Sequence, residues 1–222
     1  MIWIVQLIIC IYFVCIGVRM IHIQSYTQES DFFYTTNKDD FIKHVSDFSP
    51  TLLYEKQCQL PKIDFKINQV QSKSELISLS NYGKTDSSLF LYKDKQLSFK
   101  TEPIDINKFY DSKILIPSQT SISVIQGEHT TSIHKNTHNY MFLETLDGYS
   151  VIYIIHPKYK NELDNYKEIG YQVILQPKTK LFIPPNWYYI QKINEKVIQK
   201  HNDIDDIFMF VPNLIKKYIT IV

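Results

Sequence analysis

Glycine is nearly missing from this chain, with 5 in 222 residues, and that excludes the Gly-rich loops that cradle phosphates in nucleotide-binding proteins. Cysteine is almost as rare. Of the three, Cys10 and Cys15 fall in an apolar N-terminal stretch and only Cys58 follows it, so no disulfide framework can be built. No asparagine begins an Asn-x-Ser/Thr glycosylation acceptor. Both absences point to a reducing, non-lumenal setting for the bulk of the chain. Charge of one sign is lacking too. The formal net charge is +1, and no run of basic residues exceeds the pair Lys216-Lys217. Without a basic stripe or arm there is no electrostatic footprint for DNA or RNA, so nucleic acid is not expected as a partner.

What is abundant is aromatic: 16 Tyr and 13 Phe. Aromatic and β-branched side chains suit half-buried pleated surfaces, so the composition favours a β-rich domain. The first 23 residues stand apart. Ile2 to Val18 are apolar except for Gln6, Arg19 is the first charged side chain, and Met20, Ile21 and Ile23 continue the apolar character around His22. Roughly 20 helical residues cross a ~30 Å hydrocarbon core, and Arg19 can snorkel to extend the span. Trp3 and Tyr26 are suited to the two interfaces. The competing reading is a cleaved signal peptide, which favours a basic n-region and a small-x-small cleavage site. Only the terminal amine is charged before the apolar run, and Gly17-Val-Arg-Met is a poor match to such a site; a buried core helix ranks below both readings. The expectation is a transmembrane anchor over residues 1–23, a linker over 24–36 and a β domain over 37–222, giving a single-pass membrane protein. Arg19 and Lys38 after the span place the domain on the cytosolic side.

Along the domain, Asn37 caps a short helix with acidic residues in its first turn, ending before Pro50. Thr51–Tyr54 reads as a buried strand, Lys73–Ser80 as a second short helix, and Ser88–Lys93 with Gln96–Lys100 as a hairpin turning at Lys93-Asp-Lys95. From Lys113 a train of strands follows: 113–116, 121–126, 140–146, 149–156, 171–175, 180–183 and 188–194. Asp147-Gly148 marks a tight hairpin in their midst. The stretch 207–222 is apolar but broken by Pro212, Lys216 and Lys217, and is expected as closing secondary structure. Strands this short and this regularly spaced indicate a sandwich or barrel.

The run Leu175-Gln-Pro-Lys-Thr-Lys-Leu-Phe-Ile-Pro-Pro-Asn-Trp-Tyr-Tyr-Ile resembles a late strand pair of the JmjC and cupin-like 2-oxoglutarate, Fe(II)-dependent oxygenases, in which Pro-Pro-x-Trp precedes the last iron-binding histidine by two residues. Ser123 to Pro157 is similar to that family's first metal strand, and the Phe41 helix with Ser49-Pro50-Thr-Leu-Leu to its entry. The resemblance implies a mainly β fold, a double-stranded β-helix of cupin or jelly-roll type with a few short flanking helices. An unrelated β-sandwich with a Pro-Pro turn is the plainer alternative.

The resemblance also implies a site, and here the sequence departs from the pattern. The family's His-x-Asp stands as His134-Lys135-Asn136, so a vestigial metal ligand survives at His134 while the carboxylate has become an amide. The distal histidine falls on Tyr189, or on Tyr188. The lysine that grips the 2-oxoglutarate carboxylate falls on Ser150, and Asn139 matches an asparagine near the cosubstrate. Two of the three iron ligands are replaced, which should abolish Fe(II)/2-oxoglutarate chemistry. No catalytic residue or cofactor is therefore expected, and the domain is read as a binding or scaffolding module for a protein or peptide. The rival is an active metal-dependent oxygenase or hydroxylase with a non-standard ligand set around His134. It would draw on His129, His138 and Glu128 or Glu144, with Fe(II) and 2-oxoglutarate as its cofactors. A structural membrane protein is a third reading. Asp203-Ile-Asp205-Asp206 contains an Asp-x-Asp, taken here as a solvated acidic loop, and Cys58 is read as a plain thiol.

Overall fold

The computed structural model describes residues 2–55, 69–72, 75–78, 92–94, 115–125, 127–206 and 208–213. The described residues are mainly β, in two main sheets with a few helices. An apolar helix α1, Ile2–Glu29, leads the chain, and Trp3–Ile21 within it is long and apolar enough to cross a membrane. Within Trp3–Ile21 only Ile16 is buried.

The larger sheet begins at one edge with β1 (Phe33–Thr35) beside β2 (Thr51–Tyr54), the one parallel pair among the described residues. It continues through β12 (Thr179–Ile183), β9 (Tyr140–Asp147), β14 (Val197–Asp206), β6 (Leu115–Ile125) and β5 (Tyr92–Asp94), all antiparallel. The second sheet runs β11 (Tyr171–Leu175), β10 (Ser150–Ile155), β13 (Tyr188–Ile193) and β7 (His129–Thr130), with β8 (His134–Lys135) also on β13. A separate hairpin joins β3 (Gln69–Ser72) to β4 (Glu75–Ser78).

Alternation explains the packing. In β10, Ser150, Ile152 and Ile154 are buried while Val151 and Tyr153 between them are half-exposed, the period of a strand with one face inward. Leu52, Leu143, Leu181 and Ile183 from the larger sheet meet Ile152, Ile154, Val173, Leu175 and Trp187 from the smaller one, forming the core between the sheets. A second cluster lies on the outer face of the larger sheet. There Leu53, Tyr140, Phe142, Phe182 and Ile204 are covered by Phe41 and Val45 of helix α2 (Lys38–Ser46) and by Ile23 of α1. Phe41 and Val45 are one helical turn apart, and Asn37 caps that helix by accepting a hydrogen bond from the Asp39 amide at 2.9 Å.

Two turns follow from residue type. Pro184-Pro185-Asn186-Trp187 closes through the Trp187 amide onto the Pro184 carbonyl, with Asn186 at φ 68°. Proline then left-handed asparagine at the central positions is the type II pattern. Gly148 has φ 75°, and a Cβ there would collide with the Lys196 carbonyl oxygen.

Six expectations need correcting. Within the expected helix 73–80, residues 75–78 are the strand β4, paired with β3, so cross-strand pairing overrides the local helix preference of Glu and Leu there. Residues 92–94 pair with β6 where a turn at 93–95 was expected. Residues 115–125 are one strand rather than two, and the ladder shifts register beside Pro117, a residue without an amide to donate. The linker over 24–36 is instead the end of α1 and the edge strand β1. The acidic loop at 203–206 is the end of a ten-residue strand inside the larger sheet. The tight hairpin at Asp147-Gly148 is instead a crossing between sheets, since β9 pairs with β12 and β14 while β10 pairs with β11 and β13. The bounds of the strands from 140 to 193 match expectation, as does closing structure at 208–213, which is helical. Cys58 and most of the segments 88–93 and 96–100 lie outside the described residues.

Candidate functional site

His134 sits on β8 opposite Tyr189 of β13, their rings 5.4 Å apart and tilted by 30°. The imidazole is exposed, with Nε2 3.4 Å from the Ser132 hydroxyl. Tyr188 lies beneath the Lys135 ammonium, 5.9 Å from its ring centre. Ile133 beside them is exposed. Opposed residues share a face and consecutive ones alternate, so Lys135 and Tyr188 lie on one face of the sheet and the His134–Tyr189 pair on the other.

Asn136 does not join it. The chain leaves β8 after Lys135, and Asn136 turns inward and is buried. Its Nδ2 donates to the Ile183 carbonyl at 2.7 Å, and its Oδ1 accepts from the His138 amide at 2.8 Å. Its backbone N–H donates to the Trp187 carbonyl at 2.9 Å, and its own carbonyl accepts from the Asn186 amide at 2.8 Å. Two backbone bonds thus strap Asn136 to the Pro-Pro-Asn-Trp turn and a third, from its side chain, to Ile183 just before it. Both side-chain atoms of the amide are occupied.

Tyr189 faces inward beside this turn. Burial pushes its phenol well above the ordinary range, and the Asp203 carboxylate pushes it further the same way. The ring therefore carries a neutral hydroxyl, a poor substitute for an imidazole ligand.

The two positions aligned with cosubstrate contacts are far apart. Asn139 precedes β9 and Ser150 follows it, so the eight-residue strand separates them by roughly 25 Å. Ser150 is fully enclosed in an amide network between the sheets. Gln191 Nε2 donates to the Ser150 hydroxyl at 3.0 Å and to Gln199 Oε1 at 2.7 Å, while Gln199 Nε2 donates to Ser150 at 3.0 Å and Thr145 at 3.3 Å. Around Ser150, the position that the resemblance aligns with the cosubstrate lysine, the interior is filled by the chain's own polar groups.

A second polar node was not anticipated from sequence. Asp205 is fully buried. Its Oδ1 accepts from the Asn139 amide at 3.0 Å, and its Oδ2 faces His138 Nδ1 at 2.9 Å and accepts from Asn213 Nδ2 at 3.0 Å. Asp206 Oδ2 accepts from Arg19 Nε at 2.8 Å and Asn139 Nδ2 at 3.3 Å, while its Oδ1 accepts the amides of Phe208 and Met209. Asn139 thus holds the β14 carboxylates rather than standing near Ser150. The one sequence signal for this node was the Asp-x-Asp-Asp at a strand end.

No family model matches the chain. No curated protein matches it either. Among solved structures, one described as Drosophila melanogaster CENP-C bound to CAL1 is similar at 9% identity with a TM-score of 0.31, over 39% of this chain. The match spans 60% of the length of that chain, and a likeness at this score carries no argument.

The histidines of the rival metal reading are dispersed. His129 pairs with Ile193 on β7, His134 is exposed on β8 and His138 faces Asp205. Glu144 is registered opposite Lys180 and Lys200, and Glu128 is exposed. Among the described residues, no three His, Cys, Asp or Glu side chains are grouped to hold a metal ion.

Proposed function

We propose that this chain is a single-pass membrane protein whose β domain is a cupin/JmjC-like double-stranded β-helix without Fe(II)/2-oxoglutarate turnover, serving to bind a protein or peptide. The observation that carries this reading is the commitment of Asn136. At the position where the family places an anionic iron ligand, this chain has an amide whose donor and acceptor are both engaged, by the Ile183 carbonyl and the His138 amide. The residues present do not fit the metal and its cosubstrate: one exposed imidazole, one neutral phenol, and a serine enclosed in the interior. Losing the carboxylate alone removes the charge match to a divalent cation.

Exposed Ile133 and His134, with the Tyr189 ring beside the imidazole, support a binding role. Aromatic surfaces with a polar edge are the usual composition of contact hot spots. The anchor rests on α1, whose apolar side chains from Trp3 to Val14 are almost all exposed. Arg19 and Lys38 keep the domain on the cytosolic side in this reading.

The test is metal content and 2-oxoglutarate decarboxylation of the full chain, beside a His134→Ala variant. The expected result is substoichiometric iron and no turnover above the variant. Stoichiometric iron, with decarboxylation abolished by His134→Ala, would establish the active-enzyme rival instead.

A further inference from the structure

Tyr12, Ile16, Arg19 and Ile23 follow one another at spacings of four, three and four, which places them on one helical face. That face meets the domain along its length. The Tyr12 ring lies 6.0 Å from Phe208, Ile16 is buried, and Arg19 Nε reaches Asp206 at 2.8 Å with its guanidinium over the Phe48 ring. Ile23 is sealed among Phe41, Val45, Phe48 and Leu53. With α1 docked this way, only residues 3–11 stand clear of the domain, roughly 13 Å of helix at 1.5 Å per residue. A bilayer core of ~30 Å needs roughly twice that. Full crossing must therefore take Tyr12, Ile16 and their neighbours away from the domain.

The opposite face of the same turns has the wrong chemistry for permanent docking. Phe13, Val14, Val18 and Ile21 are 62–70% exposed, with no polar residue among them. A helix that only ever lay on the domain would turn a polar stripe outward, whereas one apolar all round suits lipid. The domain side tolerates release. Asp206 keeps its bonds from the amides of Phe208 and Met209 and from Asn139, and a freed Arg19 can snorkel to phosphate level.

From this geometry we infer that residues 12–21 of α1 have two mutually exclusive partners, the β domain and bilayer hydrocarbon, with the Arg19–Asp206 bridge as the latch that opens when α1 crosses fully. The inference rests on the membrane reading above and adds a conformational consequence to it.

The experiment uses the full chain with Cys10, Cys15 and Cys58 replaced by alanine and spin labels on Val14→Cys and Asp147→Cys, both exposed sites. Dipolar distances are measured in phosphatidylcholine bilayers of increasing acyl length, alongside quenching of Trp3 by brominated acyl chains. The expected result is Trp3 quenching throughout, with the docked distance falling several-fold in population as the bilayer thickens and a longer distance replacing it. Quenched Trp3 with the docked distance unchanged at every thickness overturns the latch and leaves the anchor standing. Unquenched Trp3 in all bilayers overturns both.

Discussion

Replacing Trp187 with alanine is expected to destabilise the domain by about 3–5 kcal/mol, a large part of the stability of an ordinary fold. The side chain is fully buried between the two sheets. It packs edge-on against the His156 ring at 4.8 Å and tilted against Tyr171 at 6.4 Å. Among the described residues its Nε1–H finds no hydrogen-bond acceptor, so its contribution is volume and surface rather than polarity. Trp187→Phe, which keeps a ring and forfeits no hydrogen bond, should therefore lose much less than Trp187→Ala. Urea unfolding followed by circular dichroism checks the order. Equal losses in the two variants would show that the indole holds the fold by something other than packing.

Asp205→Ala should cost a comparable amount, roughly 3–5 kcal/mol, because it removes the acceptor at the centre of a buried charged node. The carboxylate joins the adjacent His138 ring and Asn139 amide, distant in sequence, to the nearby Asn213 side chain. Deleting it leaves the buried Asn139 amide without that acceptor, and an unsatisfied buried donor costs more than its bond contributes. Asp205→Asn keeps one acceptor and should recover part of the loss. Thermal unfolding measures the difference, and a variant as stable as the parent would mean that the node contributes nothing.

The contrast between these two sites shows what could be read from sequence. The strands from Tyr140 to Ile193 announce themselves through alternation and the Asp147-Gly148 turn, and the Pro-Pro-Asn-Trp run through its fixed backbone angles. Strand 197–206 was hidden because its inward positions are polar. Gln199 meets Gln191 and Ser150, and His201 Nε2 lies 2.8 Å from the Ser123 hydroxyl, so a search for apolar alternation passes over it. Asp205 and Asp206 read as solvated because their partners, from Arg19 to Asn213, are scattered along the chain and meet only in three dimensions.

The site positions failed to converge for a local reason. His134 and Asn136 would share a face in a continuous strand, but β8 ends at Lys135 and the chain bends. One side chain stays exposed and the other goes inward. Spacing alone could not reveal that bend, since the bonds that impose it come from residues 183–187.

The central claim is that Asn136 serves the turn and not a metal, and Asn136→Asp tests it by restoring the carboxylate of the oxygenase pattern. The measurement is the melting temperature of this variant with and without Fe(II) and 2-oxoglutarate under nitrogen. Setting a carboxylate against the Ile183 carbonyl removes one hydrogen bond and adds repulsion, so a loss of roughly 1–3 kcal/mol is predicted, with no recovery on adding iron. A variant that melts like the parent and is then stabilised by Fe(II) would contradict the account.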